Sequence, residues 1–262
     1  MIFLSNILIG RLNNNLFKQN SNETRPLKNL HPSSLGACIR KSGYKYYQIP
    51  PEDKDARTLR IFQNGHYVHE RIQNECIQSD DIEVVKIEAP ISNDEHRVFG
   101  YIDGIIKIDS IPYILEVKSK GDKGFTNYLD KPSKEHIVQV NTYFWLLEDY
   151  IAQMTEEDKK NLDEDWRYLL EIQDGPLDKG FLFYENKDNQ KQKEFLVEKN
   201  PKLISWIKKR CKFFWKVVGQ NKMPNRPYDE KEVLESGYLP PECKFACDYT
   251  KVCWKEHLDK LK

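Results

Sequence analysis

The chain has 262 residues, 39% of them apolar and 12% aromatic, which is enough to bury the core of one large domain and excludes global disorder. Its 41 basic and 41 acidic residues cancel, which excludes a generic basic DNA-coating protein but leaves room for a local basic groove beside a carboxylate-lined site. No stretch approaches the roughly eighteen continuous apolar residues that a membrane span needs.

The opening run from Met1 to Gly10 is broken by Ser5 and Asn6. It lacks a basic leader and a small-residue cleavage site, so it does not read as a signal peptide, and the cytoplasm is the expected location. Residues 12–30 are rich in Asn, Lys and Ser and read as a loose polar connection. Residues 1–30 are thus expected to be an N-terminal extension, ahead of a single domain over 31–262. The spacing of Leu59, Phe62, Tyr67, Val68 and Ile72 predicts an amphipathic helix from Asp55 to about Gln78.

Three strand-like stretches follow, over 82–91, 97–108 and 113–118, with a hairpin turn at Asp109-Ser-Ile-Pro112 between the last two. Helical spacing returns from Ser133 to about Met154, with Ser133 as N-cap and an apolar stripe of Ile137, Val140, Tyr143/Phe144 and Leu147. The acidic stretch 155–165 reads as a solvated helix or insertion. Two more strands, 180–184 and 194–198, flank a polar turn, and a long helix covers about 201–218. That alternation predicts an α/β fold, a mixed central β-sheet flanked by helices.

Asp103 and Glu116 lie thirteen positions apart, with Lys118 two beyond Glu116. A hairpin returns Glu116 close to Asp103, and the period of two puts Glu116 and Lys118 on one face. Two carboxylates meeting there suit Mg²⁺ or Mn²⁺, and a neighbouring ammonium suits a water attacking a phosphodiester. The plain alternative is a charged solvent face. Against it, Ile114, Leu115, Ile102, Ile105 and Ile106 make these strands look buried, where charges need partners or a metal.

Six cysteines in an unexported chain read as thiols or metal ligands rather than disulfides. Cys243, Cys247 and Cys253 follow Pro240-Pro241 in a turn-rich tail. Three thiolates leave a tetrahedral centre one ligand short, and Cys38 can supply it. Cys211 falls on the apolar stripe Leu203, Ile207, Cys211, Phe214 and Val218, and Cys76 ends a helix, so both have plain explanations.

Lys208, Lys209, Lys212 and Lys216 lie away from that stripe, as phosphate contacts or as a merely solvated face. Arg40, Lys41, Lys45 and the tyrosines of Tyr44-Lys-Tyr-Tyr47 form a second candidate DNA surface, with aromatics able to stack on unpaired bases.

Four motifs in order carry a resemblance: Gly65-His-Tyr-Val-His69, Gly100-Tyr-Ile-Asp103, Glu116-Val-Lys118 and Gln139-Val-Asn-Thr-Tyr143. Covering residues 65–143, they resemble the PD-(D/E)XK nuclease superfamily and its RecB-like branch, with a restriction-endonuclease-like core. The resemblance implies metal binding by His69, Asp103, Glu116 and the Val117 carbonyl. It gives Lys118 to the attacking water, and Gln139 and Tyr143 to orienting the lysine or the DNA strand. Two residues stay open: His66 competes with His69, and Tyr143 lies on the apolar stripe as a core aromatic would.

Ser34-Leu-Gly-Ala-Cys38-Ile-Arg40 and the trailing Cys243, Cys247 and Cys253 resemble the iron–sulfur subset of that branch. This subset includes the CRISPR-associated Cas-four exonucleases, their phage relatives and AddB-type nuclease domains. It implies a [4Fe–4S] cluster joining the N- and C-terminal segments at a metal–sulfur site. The Cys243–Cys247 spacing is one residue longer than in many members, which keeps zinc open.

The implied function is a Mg²⁺/Mn²⁺-dependent DNA exonuclease acting on single strands or ends, in a prokaryotic cell or encoded by a phage. The alternative is a non-catalytic DNA-end-binding adaptor that serves recombination or CRISPR-adaptation proteins. A site-specific endonuclease is a third option.

Overall fold

The structure, a computed structural model, describes residues 7–19, 26–128, 130–172 and 177–260. In chain order these form α1 (Ile7–Gln19), α2 (Pro32–Leu35), α3 (Ile39–Tyr46), α4 (Ala56–Ile77), β1 (Glu83–Asn93), β2 (Val98–Ile108) and β3 (Ile111–Lys120). Then come α5 (Asp122–Tyr128), α6 (Lys134–Gln153), α7 (Glu156–Asn161), α8 (Tyr168–Ile172), β4 (Lys179–Asn186), β5 (Gln192–Glu198) and α9 (Pro201–Gly219). Three short helices end the chain: α10 (Glu230–Ser236), α11 (Pro241–Ala246) and α12 (Thr250–Cys253).

The five strands form one mixed sheet in the order β1-β2-β3-β4-β5, with β3 and β4 parallel and the other neighbours antiparallel. The β2–β3 turn is tighter than the four-residue turn expected from sequence. Ile108 pairs with Ile111 around Asp109 and Ser110 alone, whose φ angles of 51° and 65° are those of a type I′ hairpin. Pro112 therefore sits inside β3. It is tolerated there because β4 joins β3 only from Ile114 onward.

Helices cover the two faces of the sheet unequally. On one face lies α6, with ten consecutive buried residues from Val138 to Leu147, so this helix is buried all round rather than along the expected stripe. Packed beside it is α9, which contributes Ile207, Cys211, Phe214 and Val218 to the same core. Cys211 is thus a core residue. The other face carries α4, whose Val68, Ile72 and Cys76 pack on Ile106, Leu115 and Val117. Asp55 caps α4 by accepting from the Thr58 N–H at 2.7 Å, which satisfies one of the donors a helix start leaves open.

The N-terminal region departs from the sequence expectation. Residues 12–19 are not a loose connection but part of α1, which packs on α4. Polar Asn and Lys side chains kept the periodicity weak, while Leu16 is buried. Leu30 is also fully buried, and its backbone pairs with Arg97 and Phe99 at the edge of β2. Residues 1–6, on which the reading of the opening run rests, lie outside the described residues.

Two glycines let α2 settle between α6 and the sheet. A Cβ on Gly36 would lie 2.5 Å from the Glu135 Cα, and one on Gly100 would lie 2.7 Å from Pro32 Cδ. That packing fixes the approach to Cys38. No helix among the described residues is long and apolar enough to cross a membrane.

Candidate active site

The site lies where two strands part. The β2–β3 ladder ends at Gly104 opposite Leu115, and the next positions, Asp103 and Glu116, fall in the fork as β3 turns to β4. A strand leaving its partner exposes backbone donors that need another acceptor. Here the Val117 N–H donates to Asp103 Oδ2 at 2.7 Å. His69 on α4 brings Nδ1 to 3.3 Å from the same oxygen. Burial disfavours the charged imidazole, but the hydrogen bond and negative charge of Asp103 outweigh it and raise its proton affinity. His66, three residues earlier, is exposed, and of the two histidines it is His69 that stands at the fork.

Glu116 is fully buried. Its Oε1 accepts from the Lys118 ammonium and from Gln139 Nε2, the latter at 2.7 Å, while Oε2 has no partner. Burial, reinforced by the charge of Asp103 and opposed by Lys118, pushes the Glu116 carboxyl up to about 8. Gln139 Nε2 also donates to the Tyr143 hydroxyl at 2.8 Å, which in turn donates to the Tyr101 carbonyl at 2.9 Å. Glu116 is thereby tied through α6 to β2. Tyr143 is a core aromatic whose hydroxyl bonds to Gln139 and the Tyr101 carbonyl, not to Lys118. Gln139 touches the glutamate rather than the lysine.

Three further groups near the fork escaped the sequence reading. Gln73 on α4 donates to the Asp103 carbonyl at 2.9 Å and to Glu88 Oε1 at 2.8 Å, holding helix and strand together. Glu88 sits mid-strand with φ at 48°, a left-handed conformation that side chains avoid. His136, one turn before Gln139, meets the Tyr184 hydroxyl at 2.6 Å. Burial, with Lys118 and Lys120 nearby, drives its pKa down to about 3 and keeps it neutral. A lone Gln or His on a helix carries no spacing signal, so only the packing reveals these groups.

The four cysteines singled out from sequence line one cavity of about 190 Å³, together with Arg40, Tyr44, Arg226 and Trp254. All four are free thiols, and each is partly buried. Their setting is more helical than the expected turn-rich tail: Cys243 lies in α11, Cys247 caps its end and Cys253 closes α12. Burial raises the Cys38 thiol and pushes Cys243 up to about 11, with the neighbouring sulfurs adding to both shifts.

Among the described residues, no three His, Cys, Asp or Glu side chains are gathered closely enough to hold an ion as they stand. At the fork, the carboxylates are engaged by protein donors.

The expected DNA contacts divide. Arg40 does not face outward: it donates to the Tyr44 hydroxyl at 2.9 Å and the Pro224 carbonyl at 2.7 Å, and lines the cysteine cavity. Tyr44 stacks on Tyr249 at 5.0 Å, while Tyr46 and Tyr47 pack against α9 and its end, so these rings hold the fold together. An alternation of basic and aromatic residues looks alike whether it faces solvent or a neighbouring helix. Lys208 pairs with Asp149 at 3.2 Å and Lys212 with Glu95 at 2.9 Å, whereas Lys209 and Lys216 are exposed.

No protein-family model matches the sequence, and no curated protein matches it. Solved structures do. The crystal structure of SSO0001 superposes with a TM-score of 0.52 over 94% of this chain and 96% of its own, at 14% identity. LHK-Exo in complex with dAMP gives 0.50 over 74% and 90%, at 13% identity. The alkaline exonuclease LHK-Exo from Laribacter hongkongensis gives 0.49 over 79% and 93%, at 12%. The mixed sheet with its forked strands therefore belongs to a fold that this chain shares with SSO0001 and with LHK-Exo.

Proposed function

We propose that the chain is a divalent-metal-dependent deoxyribonuclease of the RecB-like iron–sulfur type, hydrolysing phosphodiesters at single strands or DNA ends. The observation that carries this reading is Glu116: a fully buried carboxylate with one oxygen on Lys118 and Gln139 and the other unpartnered, beside the Asp103–His69 pair. A buried polar atom without a partner is costly. A hard cation answers that cost, so the donor set fits Mg²⁺ or Mn²⁺.

Asp103, Glu116, His69 and the Val117 carbonyl are the residues that would hold the cation. Bound there, it would supply Lewis-acid neutralisation of the charge that builds on the phosphoryl oxygens. The protein's own groups do the rest. Lys118 exchanges its contact with Glu116 for the attacking water; having given its own proton to solvent, it orients that water and, as the neutral amine, takes a proton from it. Gln139 keeps Glu116 pointed into the fork, backed by Tyr143 and the Tyr101 carbonyl. Neutral His136 contributes no positive charge to compete with Lys118.

The cysteine cavity supports a four-thiolate centre from Cys38, Cys243, Cys247 and Cys253. Beside Glu135 and Glu242, the cavity is lined by Arg40, which has no carboxylate partner among the described residues, and by Arg226 and Trp254, whose Nε and Nε1 are buried without acceptors. Guanidiniums and N–H donors around four sulfurs suit an anionic occupant. Four thiols lining one cavity suit a [4Fe–4S] cluster, with zinc on the same four sulfurs as the alternative. The centre is structural in this reading: it clasps the two ends of the domain. Its partners would be recombination or CRISPR-adaptation proteins.

Digestion of 5′- and 3′-labelled single- and double-stranded DNA with Mn²⁺, and with chelator, tests the enzymatic reading. Cleavage that needs the ion supports it. Binding of ends without any cleavage would establish the adaptor instead. Iron and sulfide in stoichiometric amount, against zinc, decide the centre.

A further inference from the structure

From Val98 to Asp103 the side chains of β2 alternate: Val98, Gly100 and Ile102 are buried toward the α6 core, while Phe99, Tyr101 and Asp103 line the opposite face. Past Asp103 the alternation slips, Ile105 joining the α6 core and Ile106 packing under α4. On that face α4 covers Ile106, Leu115 and Val117 and engages Asp103 through His69, but leaves the row beyond Asp103 open. Tyr101 is 51% exposed there, and Phe99 buttresses it edge-to-face at 5.3 Å. A large aromatic half in solvent, braced by a second ring and two residues from the fork, is a ready stacking surface.

Its position is fixed as well as open. The Tyr101 carbonyl receives the Tyr143 hydroxyl, so the ring's backbone belongs to the same hydrogen-bond chain as Glu116. Flexible surface aromatics have no such tether. At about 3.3 Å per strand residue, Tyr101 stands roughly 6.6 Å along β2 from Asp103.

We propose that Tyr101, braced by Phe99, is a stacking platform that receives an unpaired base of a single-stranded nucleic acid next to the cleaved phosphate. This deepens the nuclease reading and rests on it. A base within a duplex has both faces occupied by its neighbours, so only a frayed or single strand can use the ring. Stacking on aromatics tolerates every base, which makes the platform a determinant of strandedness rather than of sequence.

The test measures equilibrium binding and cleavage of single-stranded oligothymidine and of a blunt duplex by wild type, Tyr101→Ala and Tyr101→Phe. Melting temperatures verify that each variant folds. Loss of one stacked base should weaken single-strand affinity about 5- to 100-fold in Tyr101→Ala, while Tyr101→Phe stays within about twofold of wild type. Duplex affinity should change far less.

Equal single-strand affinity in wild type and Tyr101→Ala overturns the platform while wild-type cleavage leaves the nuclease reading standing. An equal loss on duplex, or a Tyr101→Phe variant as weak as Tyr101→Ala, also overturns it. A wild-type protein that neither binds nor cuts DNA overturns both.

Discussion

The fork and the cysteine cavity are built on opposite plans. At the fork, residues close in sequence meet because one hairpin brings them together, and protein donors hold both carboxylates with Glu116 Oε2 left over: Asp103 takes the Val117 N–H, and Glu116 Oε1 takes Lys118 and Gln139. In the cavity, residues from the two ends of the domain face each other across open space, with buried donors left over. The fork is held in shape mainly by protein contacts. The other depends on whatever joins its walls. Metal at the fork should therefore govern chemistry, and metal in the cavity should govern stability.

The sharpest way to break that contrast is at Asp103. Asp103→Asn keeps an acceptor for the Val117 N–H but removes the charge, and should lower metal-dependent cleavage by about 10²- to 10³-fold, with the melting temperature little changed. Cleavage at the wild-type rate would remove Asp103 from the chemistry. Cys38→Ser should do the reverse. It should lose bound iron and lower the melting temperature by about 5 °C or more, because the clasp contributes folding free energy. Iron content and thermal unfolding measure it, and an iron-free variant as stable as wild type would end the structural role.

Gly36 joins the two regions. It precedes Cys38 by two residues and rests against the start of α6, the helix that carries Gln139. Gly36→Val puts carbon into the Glu135 backbone and should cost about 1–3 kcal/mol, affecting stability and cleavage together. If only one of the two readouts moves, the regions are not coupled through α2.

The last test is a pH dependence. Glu116 has a folded-state pKa raised from 4.5 to about 8, so its protonated form stabilises the fold. That contribution is complete below about 4.5 and is lost as pH rises through about 8, at up to about 1.4 kcal/mol per pH unit. His69, also raised, acts in the same direction as pH climbs through its own titration. Chelator-treated protein should therefore melt at a lower temperature at pH 8.5 than at pH 6, and Glu116→Gln should flatten the trend. An unchanged slope in that variant would assign the pH dependence elsewhere.

Sequence patterns reached the fork further than the cavity, for a physical reason. The hairpin between β2 and β3 returns Glu116 to Asp103, and alternation along β3 puts Glu116 and Lys118 on one face, so the three are legible as neighbours from the sequence. Helix spacing likewise gave α4, α6 and α9 nearly to their ends, and Ser133 at the start of α6. What stayed hidden depends on packing between distant segments. The inward turn of Arg40 and of the three tyrosines, the clamp made by Gln73 and the neutral His136 leave no periodic trace. The same applies to α1, whose polar surface made residues 12–19 read as a connection. The cysteines signalled their association by residue type alone, and Gly36 and Gly100, which let α2 dock, were legible only once their neighbours were known.

The central claim, that the fork is a metal-dependent catalytic centre with distinct holding and proton-handling residues, is tested most directly by manganese binding and cleavage measured together. Wild type, Glu116→Gln and Lys118→Ala would be titrated with Mn²⁺ by electron paramagnetic resonance and assayed on labelled single-stranded DNA. The account predicts that wild type binds and cuts, that Lys118→Ala binds but does not cut, and that Glu116→Gln does neither. Cleavage by Lys118→Ala at the wild-type rate, or Mn²⁺ binding undiminished in Glu116→Gln, would contradict it.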